Sequence, residues 1–307
     1  MKVVVTGVGG FVGQHLVREL VGNGHNVIGL GLGSADWHDA RLMTDYLAVD
    51  LRNSWPLIDC DAVVHLAALS AVGPSFTEPQ RYIEANSAPL THMGEALLTT
   101  TRRARILVVS TGAVYQGPSG SAWKEDTRIL PSSPYIVSKL VTEMQSAYYQ
   151  RRGLDIVVMR PFNHIGPGQR TGFLLPDLVE GVRTWIQTGA PLSVGNLGTR
   201  RDYTDVRDVV RAYRLALEAP QLNATIFNVC SGKSVSGHEL LASVTRALSP
   251  GRPPEIVVDE SKLRPGDPEE IRGDNTAINT ALGWRPTIPT DQSVRDVIVS
   301  ATDDFAG

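Results

Sequence analysis

Short runs of apolar and β-branched residues recur through the first half of the chain, separated by longer stretches of mixed polarity. "KVVVTG" (2–7), "NVIGL" (26–30), "YLAVD" (46–50), "DAVVHLAA" (61–68), "RILVVST" (105–111) and "DIVVMRP" (155–161) have the length and composition of strands. They scarcely alternate between apolar and polar. A strand with one wet face alternates, whereas a strand covered on both faces stays apolar. The runs therefore predict a parallel sheet with helices on either side. Val12, Leu16, Leu20 and Val21 recur at helical spacing, and 86–102 and 134–152 supply further crossovers. The fold class is α/β, a doubly wound parallel sheet of the Rossmann kind.

The pattern loosens after Pro161. "FNHIGPGQRTG" reads as a glycine- and proline-rich loop, followed by helices over 174–188 and near 206–218. A strand at 225–230, a helix from 236 and a strand at 255–259 come after. Residues 1–161 with about 206–230 are expected to form the dinucleotide-binding domain. About 162–205 and 231–307 are expected to form a smaller substrate-binding lobe.

Composition narrows the function classes. A formal charge of −3 gives no reason to expect nucleic acid or an anionic membrane as partner. No apolar run approaches the roughly 20 residues of a membrane helix, and "MKVVVTGVGG" is not built like a signal peptide. Cys60 and Cys230 lie far apart in apolar settings, which reads as two buried thiols in a reducing, cytoplasmic compartment and not as a disulfide or metal cluster.

"TGVGGFVG" sets Gly7, Gly10 and Gly13 directly after the first strand and at the start of the first helix. Such glycines let backbone approach a pyrophosphate, and the helix amino terminus offers it N–H groups and partial positive charge. With Phe11 and Val12 this is a dinucleotide-binding loop. NAD enzymes place an acid at the end of the second strand for the ribose 2′-hydroxyl. Here that place falls near Gly31, so NADP(H) is favoured over NAD(H). Asp50, beside Leu51 after the third strand, is either a contact to the adenine amino group or a turn aspartate.

Tyr135 and Lys139 stand four apart in "YIVSK" and share a helix face. An ammonium beside a phenol favours the phenolate and is expected to lower the tyrosine pKa from about 10, making Tyr135 a usable acid or base. Thr111, in "VVSTGAVYQG", ends a strand at the carboxyl edge of the sheet, where ligands sit in such folds. Its hydroxyl can hold a substrate oxygen. Ser110 stands one position too early and is the second choice.

Together, "TGVGGFVG", "HLAALS" (65–70), "VVSTGAVYQG", "YIVSK" and "RPFNHIGPG" (160–168) resemble the extended short-chain dehydrogenases/reductases that act on nucleotide sugars. The resemblance implies that Leu66, Ala67, Ala68 and Asn86 line the cofactor. It implies that Tyr135 and Lys139 are the catalytic pair, with Lys139 also on the nicotinamide ribose and Thr111 in the Ser/Thr role. Dehydratases of the family carry an acid after that hydroxyl, where this chain has Gly112 and Ala113. Enzymes that also epimerise C3 and C5 use a cysteine there, and neither Cys60 nor Cys230 is near Thr111 in sequence. Oxidation or reduction at one carbon, or 4-epimerisation, is left.

By motif match, Arg201 in "GTRRDYTDV", Arg264 in "LRPGD" and Asn163 in "RPFN" would meet the substrate diphosphate, as arginine forks suit phosphate oxygens. A surface salt bridge is the plain alternative for each arginine. His164 is a ligand contact or a histidine satisfied within its loop. Within the family the segments look most like reductases of a GDP-linked 4-keto-6-deoxyhexose, with dTDP- and UDP-linked substrates open. A 4-epimerase holding its NAD tightly is the second reading; a dinucleotide-binding protein without turnover is the third, against which the Thr111–Tyr135–Lys139 set argues. The resemblance also implies a homodimer that pairs 86–102 and 134–152.

Overall fold

The computed structural model describes residues 1–100, 103–263 and 268–303. Strands β1 (Lys2–Thr6), β2 (Asn26–Gly31), β3 (Asp45–Ala48), β4 (Ala62–His65), β5 (Arg105–Val109), β6 (Asp155–Pro161) and a later strand, Ile226–Val229, form one parallel sheet. Connecting them are helices α1 (Phe11–Gly22), α2 (Val72–Ser75), α3 (Pro79–Leu98) and α4 (Pro134–Arg151). After β6 come β7 (Asn163–Ile165), α5 (Leu174–Thr188), β8 (Leu192–Val194), β9 (Arg200–Asp205) and α6 (Val206–Glu218), and the later strand is then β10. The chain continues through β11 (Ser234–Ser236), α7 (Gly237–Leu248), β12 (Ile256–Val258), β13 (Glu270–Ile271), α8 (Thr276–Leu282) and α9 (Thr290–Asp303).

The sheet order is β10-β6-β5-β4-β1-β2-β3. Successive side chains of a strand point to opposite faces, and both faces here are covered. Val3 and Val5 enter a core with Leu16, Leu20, Val209 and Tyr213 of α1 and α6. Val4 between them enters the other core, with Leu90, Met93 and Tyr149 of α3 and α4. In β5, Leu107 goes to the first core while Ile106 and Val108 go to the second. Strand order reverses between β1 and β4, opening a crevice at their carboxyl ends, the usual ligand position in such sheets.

Beyond β6 the expected loop contains β7, which pairs with β9, as do β11 and β13. These strands of two to six residues are too short to show a period. Ile165, Leu178, Val182, Trp185, Leu197, Tyr203, Leu240 and Val244 make a separate core between α5, α7 and these strands. Ile278 and Trp284, much later in the chain, pack in the α1–α6 core of the main sheet.

Helix α3 begins at Pro79, two turns before the expected start at 86, and runs through Pro89. Its first turns carry only Tyr82 and Ile83 as large apolar residues, adjacent and without helical spacing, which hides them from a hydrophobic count, while Pro79 at the first position suits a helix start. Helix α4 begins one residue after Ser133, whose hydroxyl accepts from the Ile136 N–H at 3.2 Å. That cap fixes where Tyr135 and Lys139 emerge.

Candidate active site

The loop between β1 and α1 is glycine because backbone packs against backbone. Gly7 has φ +66°, and a Cβ there would lie 2.8 Å from the Ala67 nitrogen. A Cβ on Gly13 would lie 2.5 Å from the Gly7 and Val8 carbonyl oxygens. Gly10 stands at the N-cap and brings no capping side chain. The first N–H groups of α1, with Phe11, Val12 and Gly13, thus line a cradle that suits a pyrophosphate.

Two residues outside the sequence reading shape the opposite wall. The Leu66 and Ala67 N–H groups donate to Thr6 Oγ1 at 3.1 and 3.0 Å, and Thr6 Oγ1 lies 2.9 Å from His65 Nδ1. With its oxygen accepting twice, the Thr6 hydroxyl donates to His65. Burial, with Lys139 nearby, pushes His65 down to about 3, so the ring stays neutral. Asn86 holds the next stretch, accepting from Leu69 N at 2.7 Å and donating to Leu69 O at 3.1 Å. It also donates to Ser138 Oγ at 2.8 Å, and Ser138 donates to the Tyr135 carbonyl at 2.7 Å. The segment from Leu66 through Leu69 is therefore fastened to β1 at one end and to Asn86 of α3, itself bonded to α4, at the other.

At the end of β2, a Cβ on Gly31 would lie 2.9 Å from the Tyr46 hydroxyl. Tyr46 is held there by donation to Gly33 O at 3.1 Å and by edge-on packing with Trp37, ring centres 5.7 Å apart. Asp50 caps its own turn: it accepts from Arg52 N at 3.0 Å and Nε at 2.9 Å, and Arg52 holds its carboxyl below the usual range. Capping this turn is one of the two roles the sequence leaves open for Asp50. Leu51 is buried in the α3–α4 core.

The catalytic candidates converge at the carboxyl end of β5. Thr111 caps a short 3-10 turn, accepting from Ala113 N at 3.2 Å, and its hydroxyl is hydrogen-bonded to Tyr135. The Lys139 ammonium donates to Val109 O at 2.9 Å. Ser110, the second choice, is committed elsewhere: it is buried and donates to Glu143. The expected lowering of the tyrosine is corrected. Burial pushes Tyr135 up to about 12, against the Thr111 hydrogen bond, and Lys139 is not among the groups acting on it. Burial also pushes Lys139 down to about 8, partly offset by Glu143. The loss of water dominates at both groups.

At Gly112 a side chain would meet the Phe162 ring. A Cβ on Gly112 would lie 2.5 Å from the Phe162 ring. Cys230 is closer to the site than sequence distance suggests, since it shares an apolar cluster with Tyr135 and Phe162. Its thiol packs on Gly273, and burial beside Asp202 pushes its pKa up, so it stays neutral. Cys60 lies in the α3–α4 core, and both cysteines are free thiols.

On the far side of the crevice, Asn163 is exposed on β7, opposite Tyr203 of β9. Arg201, two residues earlier on β9, donates to Arg200 O at 2.8 Å and Pro268 O at 3.0 Å. Arg264 lies outside the described residues. His164 stacks on Phe11, ring centres 6.0 Å apart, with Nδ1 3.2 Å from Phe162 O. His15 Nε2 lies 2.8 Å from Pro167 O. The dinucleotide loop and the segment after β6 thus touch directly. Among the described residues, no three His, Cys, Asp or Glu side chains are placed to hold a metal ion.

Comparison with known proteins agrees with this geometry. The family model described as GDP-mannose 4,6 dehydratase matches residues 4–297. A GDP-6-deoxy-D-mannose reductase of Pseudomonas aeruginosa is 32% identical over 97% of this chain and 96% of its own. A UDP-glucose 4-epimerase of Mycolicibacterium smegmatis is 29% identical over 97% of each. Among solved structures, MoeE5 in complex with UDP-glucuronic acid and NAD superposes with a TM-score of 0.86 at 29% identity, covering 99% of this chain and 100% of the other. RMD from Pseudomonas aeruginosa complexed with NADPH gives a TM-score of 0.80 at 29% identity, covering 97% and 98%.

Proposed function

Since the chain belongs to the GDP-mannose 4,6 dehydratase family, within the nucleotide-sugar-modifying extended short-chain dehydrogenases/reductases that use a nicotinamide cofactor, we propose that it is a 4-reductase of a nucleotide-linked 4-keto-6-deoxyhexose. The substrate is GDP-4-dehydro-6-deoxy-D-mannose and the product GDP-D-rhamnose. One observation carries this reading: a Thr111–Tyr135–Lys139 set stands at the crevice, while the places of the dehydratase acids are Gly112 and Ala113, neither of which can transfer a proton.

When bound, a reduced nicotinamide would supply hydride to C4. Tyr135 gives its proton to O4 as the carbonyl becomes an alcohol, and Thr111 orients O4. A phenol pushed up to about 12 is protonated at working pH, so its proton is present to be given. Lys139 would hold the nicotinamide ribose. Gly7, Gly10, Phe11, Val12 and Gly13 hold the pyrophosphate. Leu66 to Ala68 and Asn86 form the nicotinamide side, and Asp50 and Leu51 the adenine side. Asn163, Arg201 and Arg264 take the substrate diphosphate. The core around α5 and α7 is the substrate lobe.

NADP(H) is preferred, because the Tyr46 hydroxyl fills the space where an acid for the 2′-hydroxyl would stand at Gly31. The deciding experiment follows the reduced-nicotinamide absorbance with GDP-4-keto-6-deoxymannose and either NADPH or NADH. Stoichiometric loss with a GDP-deoxyhexose product is the expected outcome, faster with NADPH. The second reading, a 4-epimerase, draws on the epimerase relatives. It calls for no net loss of the band and for protein carrying its own NAD.

A cytoplasmic location is the reading that two buried free thiols support; no described helix is long and apolar enough to cross a membrane. A homodimer through α3 and α4 is expected. The outer face of α4 exposes Met144 (73%) and Tyr148 (54%), large apolar surface that a second copy would cover. Light scattering at micromolar concentration should give twice the chain mass; the monomer mass would refute the pairing.

A further inference from the structure

Three consecutive residues at the end of β5 are each read by α4. Val109 accepts from Lys139 at 2.9 Å, Ser110 donates to Glu143, and Thr111 bonds Tyr135. Tyr135, Lys139 and Glu143 are four apart in succession and share one helix face. Glu143 is in turn gripped from β6: Arg160 donates through Nε to Oε1 at 2.9 Å and through Nη2 to Oε2 at 2.6 Å. The remaining arginine nitrogen donates to the Tyr115 hydroxyl at 2.7 Å and Glu125 O at 3.2 Å, and Tyr115 donates to Asn228 at 2.7 Å. Arg160 is 2% exposed.

A buried ion pair is a poor device for stability alone, because the cost of stripping water from two charges is repaid only with good geometry. This pair abuts the catalytic candidates. We propose that Glu143, fixed by Arg160, is a positioning residue that sets the register of α4 against residues 109–111 and holds a negative charge beneath the Lys139 ammonium. The inference rests on the reductase reading for its catalytic meaning, but its geometry stands without it.

Lys139 is faced by neutral His65 from β4, by Glu143 from its own helix, and by Arg160 from β6 through Glu143. Glu143 supports the charged form against burial. With glutamine at 143 the attraction goes and the arginine cation remains. Lys139 should then lose its proton at lower pH.

The test is the titration of Lys139, read by NMR on protein with carbon-13 in its five lysines; Lys139→Met assigns the signal. In Glu143→Gln the midpoint should fall by about one pH unit or more, and Glu143→Asp should restore most of it. The alkaline limb of kcat, lost as Lys139 deprotonates, should move with it while KM changes less than about threefold. Because Arg160 left unpaired could unfold the single variant, Glu143→Gln with Arg160→Met supplies a neutral pair, in which the midpoint should also fall. An unchanged midpoint in the folded variants overturns the proposal. A shifted midpoint in protein that turns over no sugar nucleotide leaves the positioning intact and refutes the reductase.

Discussion

Tyr135→Phe should lower kcat for 4-keto sugar reduction by about 10²–10⁴-fold, the usual worth of a positioned proton donor. NADPH affinity should stay within about threefold, because the change removes a proton donor and leaves the cofactor cradle untouched. The ring sits in an apolar cluster with Tyr82, Val114, Ile136 and Phe162, and phenylalanine fills the same space. The lost partner is the Thr111 hydroxyl, which is half-buried and finds water instead. Turnover is measured by loss of the reduced-nicotinamide band, and affinity by its fluorescence in the binary complex. Turnover within tenfold of the parent would remove Tyr135 from the mechanism. A tenfold loss of NADPH affinity with unchanged kcat would make it a binding residue.

Trp284→Ala should cost about 3–5 kcal/mol of stability, the range for truncating a large buried aromatic. Trp284 is fully buried against the main sheet, and its indole N–H donates to Asp208 O at 2.9 Å. The Asp208 carboxylate accepts from Thr287 N and Oγ1 and from Ile288 N, at 2.7 to 2.8 Å. One residue of α6 thereby fixes the whole stretch after α8. Urea unfolding should show a lower midpoint with little change in slope, and Trp284→Phe should recover part of the loss. A loss under about 1 kcal/mol would mean that the stretch after α8 contributes little to the core.

The main sheet is legible because both its faces are covered, so Val3 to Val5 and Ala62 to Val64 read as unbroken apolar runs. The glycine loop is legible because Gly7 and Gly13 meet backbone within 3 Å, a demand that only glycine satisfies. Tyr135 and Lys139 stand out by their spacing. What stays hidden depends on distant partners. Glu143 is four residues past Lys139, but nothing in the sequence pairs it with Ser110 and Arg160. The tyrosine pKa is misjudged from sequence because proximity to lysine is visible there and burial is not. Strands β7 and β13 exist only because β9 pairs with them.

The order in which the main sheet is completed bears on synthesis. Every catalytic candidate precedes β6, yet β6 obtains its outer neighbour only with β10, and the α1 face its cover only with α6, Ile278 and Trp284. A nascent chain halted after β6 would already contain the glycine loop, Thr111, Tyr135 and Lys139. It would also present an open strand edge and uncovered valines, surfaces that favour aggregation over partial activity. The ribosome must deliver β7 through α6 before β10 can close the sheet edge, and the chain to Trp284 before the α1 face is covered.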